Sequence, residues 1–288
     1  MEKQLGLGYL SALLAAILFG SVSTLAKPTL DTIEPIVLSA MVYFLASLVS
    51  TPLTQRTKFS PNRKDWGLLL AVALSGAVIA PVLFFIGLEQ TTAADTAILG
   101  NGEIIFSVLL AIIFFKDRIG RIGSLAVVMV LVGVFIVTTN LEFSASLFDL
   151  RNIGNVFVIG ATIFWALDNN LSKILSHTMD AARIVQLKSA IGSAILLSLV
   201  LVFQVPFEIQ VEQLPNIILL GALGFGLSIF LFIHGLKRIG TVRTIMIFST
   251  SAIFGLVFAA IFLGEQISTY QIVAIIIMLS GLYLLQKE

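Results

Sequence analysis

The sequence predicts an all-α integral membrane protein with ten transmembrane helices, arranged as two inverted five-helix repeats. Three observations lead to this prediction: the composition, the spacing of the apolar runs, and the similarity of the two halves. Of the 288 residues, 58% are hydrophobic and only 11% are charged, and the mean hydropathy is +1.06. Soluble domains carry about 25% charged residues. The composition therefore excludes an ordinary soluble domain.

The chain contains ten apolar runs that are each long enough to cross a bilayer as a helix, which takes about 20 residues. Short polar connections, which contain turn-forming residues and most of the charge, separate the runs. The predicted spans are residues 6–26, 35–54, 66–88, 92–115, 120–139, 154–174, 182–204, 215–236, 241–263 and 267–286.

The two halves of the chain are similar to each other. The pairs with most weight are glycines, an acidic pair, and two lysines that close equivalent spans. At an offset of 148 these are Gly76/Gly224, Gly133/Gly281 and Asp117/Glu265, and at an offset of 146 Lys27/Lys173. We therefore assign residues 1–139 to the first five-helix repeat, 140–153 to a connecting loop, and 154–288 to the second five-helix repeat.

The basic residues indicate how the spans are oriented. Five spans per repeat is an odd number, so the second repeat enters the membrane upside down relative to the first. Of the 17 Lys and Arg residues, all except Lys27 and Arg151 then fall on one side. Because cytoplasmic loops are enriched in Lys and Arg, we expect a multi-pass protein of the cytoplasmic membrane with both termini in the cytoplasm.

Several function classes lack their signatures in this sequence. There is no cysteine, there are only two histidines, and the formal net charge is +1. Without a metal-binding, phosphate-binding or nucleophile motif, we expect no catalytic residue, no metal and no cofactor. The expected partners are a small-molecule substrate, with or without protons, and the lipid bilayer. We expect no nucleic acid, and either a monomer or a homodimer.

Polar and ionisable groups inside the spans are the candidate functional residues, because a charge near the bilayer centre costs about 2.5–3.5 kcal/mol. Glu103 lies near the middle of the fourth span, and Asp168 lies in the sixth. Lys188 and Arg243 could serve as counter-ions for these acids. The candidates for substrate binding or coupling are Glu103, Asn101, Asp168, Asn169, Trp165, Lys188 and Arg243.

Each candidate also has a structural interpretation. Glu103 could be a neutral acid that hydrogen-bonds two helices, Asp168 could do the same, and Lys188 could extend to the membrane interface. The repeat favours a functional interpretation of Glu103. Its counterpart is Ser251, so the fold does not require an acid at this position.

Two segments carry a family resemblance. "FFKDRIGRIGSLAVVMVLVGVFIV" and "FLGEQISTYQIVAIIIMLSGLYLL" each contain an acidic residue that closes a fourth helix and a glycine-containing fifth helix. They resemble the EamA-type members of the drug/metabolite transporter superfamily, and the resemblance covers the whole chain. The family tends to have a proline in the middle of each fourth helix. Here these regions read "GNGEIIF" and "STSAIFG", so the sequence gives no proline signal for a helix break.

The leading interpretation is a secondary transporter, an exporter or exchanger, for a small polar or amphipathic metabolite. Inverted repeats suit alternating access around a site near the midplane, and Glu103 would bind a proton or a cationic group of the substrate. Two alternatives remain open, a passive channel and a membrane scaffold. A membrane enzyme acting on a lipid is less favoured, because the histidines belong to no acid/histidine cluster.

Overall fold

The computed structural model describes residues 2–54, 62–115, 120–139, 153–175, 178–239, 244 and 247–285. These residues are helical apart from short connections, and they contain no β-strand. Helical segments lie at all the predicted spans, although the beginning of the ninth falls largely outside the described residues. The predicted all-α fold class is confirmed.

The first half contains α1 (Glu2–Ala26), α2 (Pro35–Ser50), α3 (Arg63–Glu89), α4a (Ala93–Gly100), α4b (Gly102–Phe115) and α5 (Arg121–Thr139). The second half contains α6 (Ile153–Leu175), α7 (Ala181–Val202), α8 (the consecutive segments Leu214–Ile218, Leu219–Leu227 and Ser228–Ile239), α9 (Ser251–Phe262, preceded by helical residues 247–249) and α10 (Thr269–Leu285). Short 3-10 helices occupy Lys27–Asp31, Thr51–Leu53 and Val211–Gln213.

Local sequence signals explain where several helices begin. Pro35 is the first residue of α2, a position that lacks an intrahelical partner for its backbone nitrogen in any case. Asn62 and Asp65 form a capping box at the start of α3, in which the Asn62 side chain accepts from the Asp65 backbone N–H at 2.9 Å and Asp65 accepts in return at 3.1 Å. The Thr92 hydroxyl caps α4a by accepting from the Asp95 N–H at 3.0 Å.

Most of the helix pairs in contact join a helix of the first repeat to a helix of the second. Helix α1 contacts α8 and α9, and its counterpart α6 contacts α3, α4a and α4b. The pairs α2–α7, α4a–α9 and α5–α10 each join two equivalent helices. In the last pair, a Cβ at Gly133 would lie 2.2 Å from Met278, and one at Gly281 would lie 2.9 Å from the Ala126 carbonyl. The repeated glycines therefore allow α5 and α10 to approach closely.

Five of the described helical stretches are long and apolar enough to cross a membrane, by length and composition. They are Leu5–Asp31, Pro35–Leu53, Arg63–Glu89, Ala182–Val202 and Val211–Gly235. Shorter apolar helices occupy Arg121–Val137, Ile247–Phe262 and Thr269–Leu284. Large apolar side chains such as Leu48, Val128 and Ile276 are exposed on the outside. This surface is typical of a protein whose solvent is lipid.

Two helices contain a stretch of π-helix at equivalent positions. In α3 the stretch is Leu74–Ile79, and in α8 it is Leu219–Leu227, which ends 148 residues after the first. Each stretch contains one of the repeated glycines, Gly76 or Gly224. A π-helical turn changes which backbone carbonyls have an intrahelical partner, and such turns are frequent at functional sites.

Candidate functional site

The fourth span is interrupted next to the predicted acid. Helix α4a ends at Gly100 and α4b begins at Gly102. The Asn101 N–H donates to the Ile98 carbonyl at 3.1 Å, and the Asn101 carbonyl accepts from the Ile104 N–H at 3.3 Å. These bonds span three residues instead of four, which is the tighter 3-10 pattern. The break therefore forms without a proline.

The ninth span is interrupted at the equivalent place, where Thr250 separates residues 247–249 from α9. The Thr250 N–H donates to the Ile247 carbonyl at 3.1 Å, again over three residues. The side-chain amide of Asn101 donates to the Ser249 carbonyl at 3.0 Å. Asn101 and Ser249 are counterparts in the two repeats, so the two breaks are in direct contact.

Glu103 lies in the first turn of α4b and contacts the other repeat. Its carboxylate accepts a hydrogen bond of 2.6 Å from the Asn169 side chain on α6. The next residue, Asn170, donates to the Ser107 carbonyl at 3.0 Å, one turn further along α4b. Two consecutive amides of α6 therefore hold the first turns of α4b.

The Glu103–Asn169 bond joins a partly buried residue to an exposed one. Glu103 is partly buried and Asn169 is exposed. The large exposed apolar residues of α6, Val156, Ile163 and Ile174, lie on one stripe. At about 100° per residue, Asn169 lies roughly 120–140° around the helix from these three residues. Its exposed side is therefore different from the lipid-facing side.

Asp168 forms a buried ion pair with Lys188. The Lys188 ammonium contacts one carboxylate oxygen of Asp168, and the Ser172 hydroxyl donates to the other at 3.0 Å. The Asp168 side chain is 3% exposed and that of Lys188 is 12% exposed. A buried charge is tolerated where such partners satisfy it. We refer to Glu103, Asn169, Asp168, Ser172 and Lys188 as the acid cluster.

Gly76 determines how closely α3 approaches Asp168. A Cβ at this position would lie 2.2 Å from an Asp168 carboxylate oxygen. The counterparts Gly224 and Val22 are in the same relationship, because a Cβ at Gly224 would lie 2.9 Å from a Val22 methyl group. The same packing site therefore holds an acid in one half of the bundle and a valine in the other.

Trp165 lies beside the acid cluster and binds the π-helical stretch of α3. Its indole N–H donates to the Gly76 carbonyl at 3.1 Å, and the Tyr43 hydroxyl donates to the same carbonyl at 2.7 Å. Ring centroids lie 5.2 Å apart for Trp165 and Phe84, and 6.5 Å apart for Trp165 and Phe225. Aromatic side chains from both repeats, Phe84, Trp165 and Phe225, therefore pack together close to Asp168.

The structure brings six of the seven predicted site residues into two linked places. Asn101 lies at the helix break, and Glu103, Asn169, Asp168 and Lys188 form the cluster that begins two residues later, with Trp165 alongside. Arg243 lies outside the described residues, as does Asp117. Tyr43 and Gly76 were not predicted. The sequence contains only a weak indication of their role. Gly76 and Gly224 are equivalent glycines of the two repeats, and the position equivalent to Asp168 is Val22.

Other ionisable residues in or near the spans hold the ends of helices. The Lys27 ammonium donates to the carbonyls of Leu88, Glu89 and Thr91 at 2.7, 2.9 and 2.6 Å. Glu265 accepts from the first N–H groups of α4a, and Asp95 accepts from Gln271 at 2.7 Å. His234 shares a hydrogen bond of 2.8 Å with the Ser11 hydroxyl.

Two cavities lie near opposite ends of the helices. One, of about 370 Å³, is lined by Lys27, Glu89, Asp95 and Tyr270 among others. The other, of about 120 Å³, is lined by Ser50, Asp180, Phe230 and His234 among others. Judged by position along the spans, the acid cluster lies between these two levels.

The fold and the cluster together define a class of protein. Repeated sets of apolar helices with interrupted helices at their contact recur in membrane transporters. The chain matches the EamA-like transporter family over residues 6–139 and again over residues 152–286, and it belongs to that family.

Similar proteins carry transporter names. An uncharacterized transporter of Methanothermobacter thermautotrophicus is 33% identical over 293 residues, which cover 96% of this chain and 85% of the relative. The uncharacterized inner membrane transporter YhbE of Escherichia coli is 25% identical over 191 residues, 64% of this chain and 59% of the relative. The uncharacterized transporter YyaM of Bacillus subtilis is 22% identical over 287 residues, 95% of this chain and 91% of the relative.

A solved crystal structure shares the fold. It matches with a TM-score of 0.68 at 15% identity, over 96% of this chain and 95% of that chain. At this identity the likeness concerns the fold alone. Family membership and the names of the relatives identify the chain as a membrane transporter.

Proposed function

We propose that the protein is a secondary transporter of the cytoplasmic membrane that exports or exchanges a small polar or amphipathic metabolite by alternating access. The observation that carries the proposal is the position of Glu103. It is a carboxylate in the first turn after a helix break, and a side chain of the other repeat holds it at 2.6 Å. A conformational change that moves one repeat relative to the other would change the contacts of Glu103.

The helix breaks support this mechanism. In many transporters the substrate and coupling-ion sites are formed by interrupted helices near the midplane. Here both fourth helices are interrupted, and the Asn101–Ser249 bond joins the interruptions. Glu103 lies in the first turn after the first of these interruptions and is partly exposed.

The charges of the cluster support a proton or a cationic group as the ligand of Glu103. Asn169 is a neutral donor, so its bond does not compensate the charge of a Glu103 carboxylate. Asp168, in contrast, has the Lys188 ammonium as its partner. A proton or the cationic group of a metabolite would supply the charge that Glu103 lacks.

The surroundings support a substrate with both polar and apolar parts. Trp165, together with Tyr43, supplies aromatic surface next to Asp168. The hydroxyl of Ser107, whose carbonyl accepts from Asn170, is buried and has no hydrogen-bond partner within the described ranges. Such groups are costly unless something bonds to them, and a polar substrate is a suitable partner.

The proposal includes an orientation. The basic residues support cytoplasmic termini, which would place the Lys27 end of α1 outside and the Arg63 end of α3 inside. The working unit would be a monomer or a homodimer in the bilayer, with a small-molecule substrate and, for a coupled cycle, protons.

A ligand screen tests the proposal across many candidate substrates at once. Purified full-length protein in detergent would be heated with members of a metabolite library, because a ligand that binds the native state raises its apparent stability. For a compound that binds, we expect Glu103→Gln to weaken binding by about tenfold or more, equal to about 1.4 kcal/mol. Glu208→Gln, an exposed residue in a connection, is the matched control and should bind normally.

Flux measurements on the same proteins distinguish a carrier from a passive channel. A carrier gives saturable flux and counterflow, whereas a channel gives flux that rises without saturation. Normal ligand affinity together with normal pH dependence of flux in the Glu103→Gln protein would rule out the proposed role of Glu103.

A further inference from the structure

The acid cluster contains an unequal number of charges. Glu103 and Asp168 are two carboxylates, and Lys188 is one ammonium group. Both acids contact residues of α6 or α7, and Asn169 on α6 directly follows Asp168. Counted over the part of the chain that the structure describes, these three groups have a net charge of −1 when all are ionised. One further positive charge would make it neutral.

Neutrality matters in this environment. An uncompensated charge inside a membrane span is costly, and a charge that loses its buried partner destabilises the protein strongly. Asp168 is almost completely buried, and its two oxygens are bonded by Lys188 and Ser172. Its charge is therefore already balanced within the protein. The charge that a transported species can balance is that of Glu103.

The Asp168–Lys188 pair is a specialised feature of one half of the bundle. At the offset of 146, the counterparts of Asp168 and Lys188 are Val22 and Val42, which are both buried. The same helix positions are therefore packed with two apolar side chains in the first repeat. Because the architecture does not require a charge at either position, packing does not explain the ion pair.

We propose that Lys188 is a specificity-determining residue that limits the cargo of each transport step to one positive charge. Its ammonium group is a fixed cation, a tethered one, that neutralises the carboxylate of Asp168. The carboxylate of Glu103 then needs one positive charge from a mobile species. That charge comes either from a proton or from a primary amine of the substrate. The inference rests on the proposed function of Glu103.

Removal of the Lys188 ammonium group should change the number of mobile positive charges that the cluster binds. In Lys188→Met the two carboxylates have no fixed cation in the cluster, so two mobile positive charges are needed. The extra charge can be a second proton on Asp168, or a dication in place of a monocation. The other titratable group that contacts this region in the described chain is Tyr43, and all variants below retain it.

Two measurements on the purified full-length protein detect the extra charge. The first compares binding of butylamine, with one positive charge, and 1,4-diaminobutane, with two, by thermal shift at constant ionic strength. The second counts protonated carboxyl groups by infrared difference spectroscopy across an acid titration. Wild type should bind the monoamine at least as tightly as the diamine, or protonate a single cluster carboxyl that is lost in Glu103→Gln.

Lys188→Met should gain one of two properties. Either its preference for the diamine over the monoamine rises by about tenfold or more, or a second protonated carboxyl appears. Asp168→Asn combined with Lys188→Met restores the net charge of −1 and should return the wild-type behaviour. Lys188→Arg keeps the charge and should resemble wild type. Lys64→Met removes an exposed lysine and controls for overall protein charge.

The outcomes separate this inference from the proposed function. If Lys188→Met shows neither property, or if the double variant retains the gained property, the role of Lys188 is overturned while that of Glu103 stands. If wild type shows neither monoamine binding nor a protonated carboxyl that depends on Glu103, the proposed function itself fails. Binding of the amine in wild type assigns the charge to the substrate, and protonation alone assigns it to the proton.

Discussion

The side-chain amide of Asn101 donates a hydrogen bond of 3.0 Å to the backbone carbonyl of Ser249, its counterpart in the second repeat. The bond joins the break in the fourth span to the break in the ninth. A buried carbonyl released from a helix needs a partner, and Asn101 supplies it from across the contact between the repeats. Because alternating access rearranges this contact, the bond links stability to the transport cycle.

Asn101→Ala should therefore destabilise the protein. The Ser249 carbonyl would lose this donor in a buried place, which costs about 1–3 kcal/mol. Thermal unfolding in detergent would measure the loss, with Asn216→Ala in the first turn of α8 as the control. Equal stability of the Asn101 variant and the control would show that the two helix breaks do not depend on this bond.

Gly76→Ala should disturb the Asp168–Lys188 pair, because the added Cβ would lie 2.2 Å from an Asp168 oxygen. We expect a loss of about 1–3 kcal/mol from overpacking, together with weaker ligand binding. Gly67→Ala is a matched control in the same helix, since a Cβ there has no atom within 4 Å. It should stabilise the protein by about 0.5–1 kcal/mol. Similar effects of the two substitutions would argue against the close approach.

Tyr43→Phe and Trp165→Phe each remove one donor to the Gly76 carbonyl. Tyr43→Phe should cost about 0.5–1.5 kcal/mol, because the other donor still satisfies the carbonyl, and Trp165→Phe should cost more, because it also removes part of a buried ring. The double variant should cost more than the sum, by about 0.5–3 kcal/mol. A double-mutant cycle of unfolding free energies measures the excess, and strict additivity would mean that the two donors act independently.

Glu265→Gln should weaken the contact between the end of α9 and the start of α4a. The carboxylate accepts from the Ala93 and Ala94 N–H groups at 2.8 and 2.9 Å. A negative charge at a helix N-terminus contributes about 0.3–1 kcal/mol, and a neutral amide retains little of it. Unfolding of Glu265→Gln against Glu208→Gln gives the difference, and a high salt concentration should reduce it.

The spans could be predicted from the sequence because a transmembrane helix is specified locally, by about 20 apolar residues in a row. The limits of α3, for example, lie within three residues of the predicted 66–88 at its beginning and one at its end. The candidate acids could also be predicted from local sequence, because Glu103 and Asp168 are ionisable residues within predominantly apolar spans.

The helix breaks and the partners of the acids could not be predicted, because they depend on contacts between distant segments. The break at Asn101 has no proline, and the hydrogen bond that accompanies it is accepted by the carbonyl of Ser249. Tyr43 is an ordinary residue of an apolar span until its hydroxyl meets the Gly76 carbonyl. Lys188 was a candidate counter-ion with two possible acids, and only the contact of its ammonium group with Asp168 in the folded chain decides between them.

Exchange of a labelled ligand across proteoliposome membranes tests whether transport depends on the Glu103 carboxylate. With a compound found in the screen, wild type and Glu208→Gln should show saturable counterflow that depends on the unlabelled compound on the opposite side. Glu103→Gln should lose at least about nine-tenths of this exchange, a change of roughly 1.4 kcal/mol or more in the rate-limiting barrier. Counterflow in the Glu103→Gln protein that keeps both the wild-type rate and the wild-type pH dependence would show that Glu103 has no role in transport.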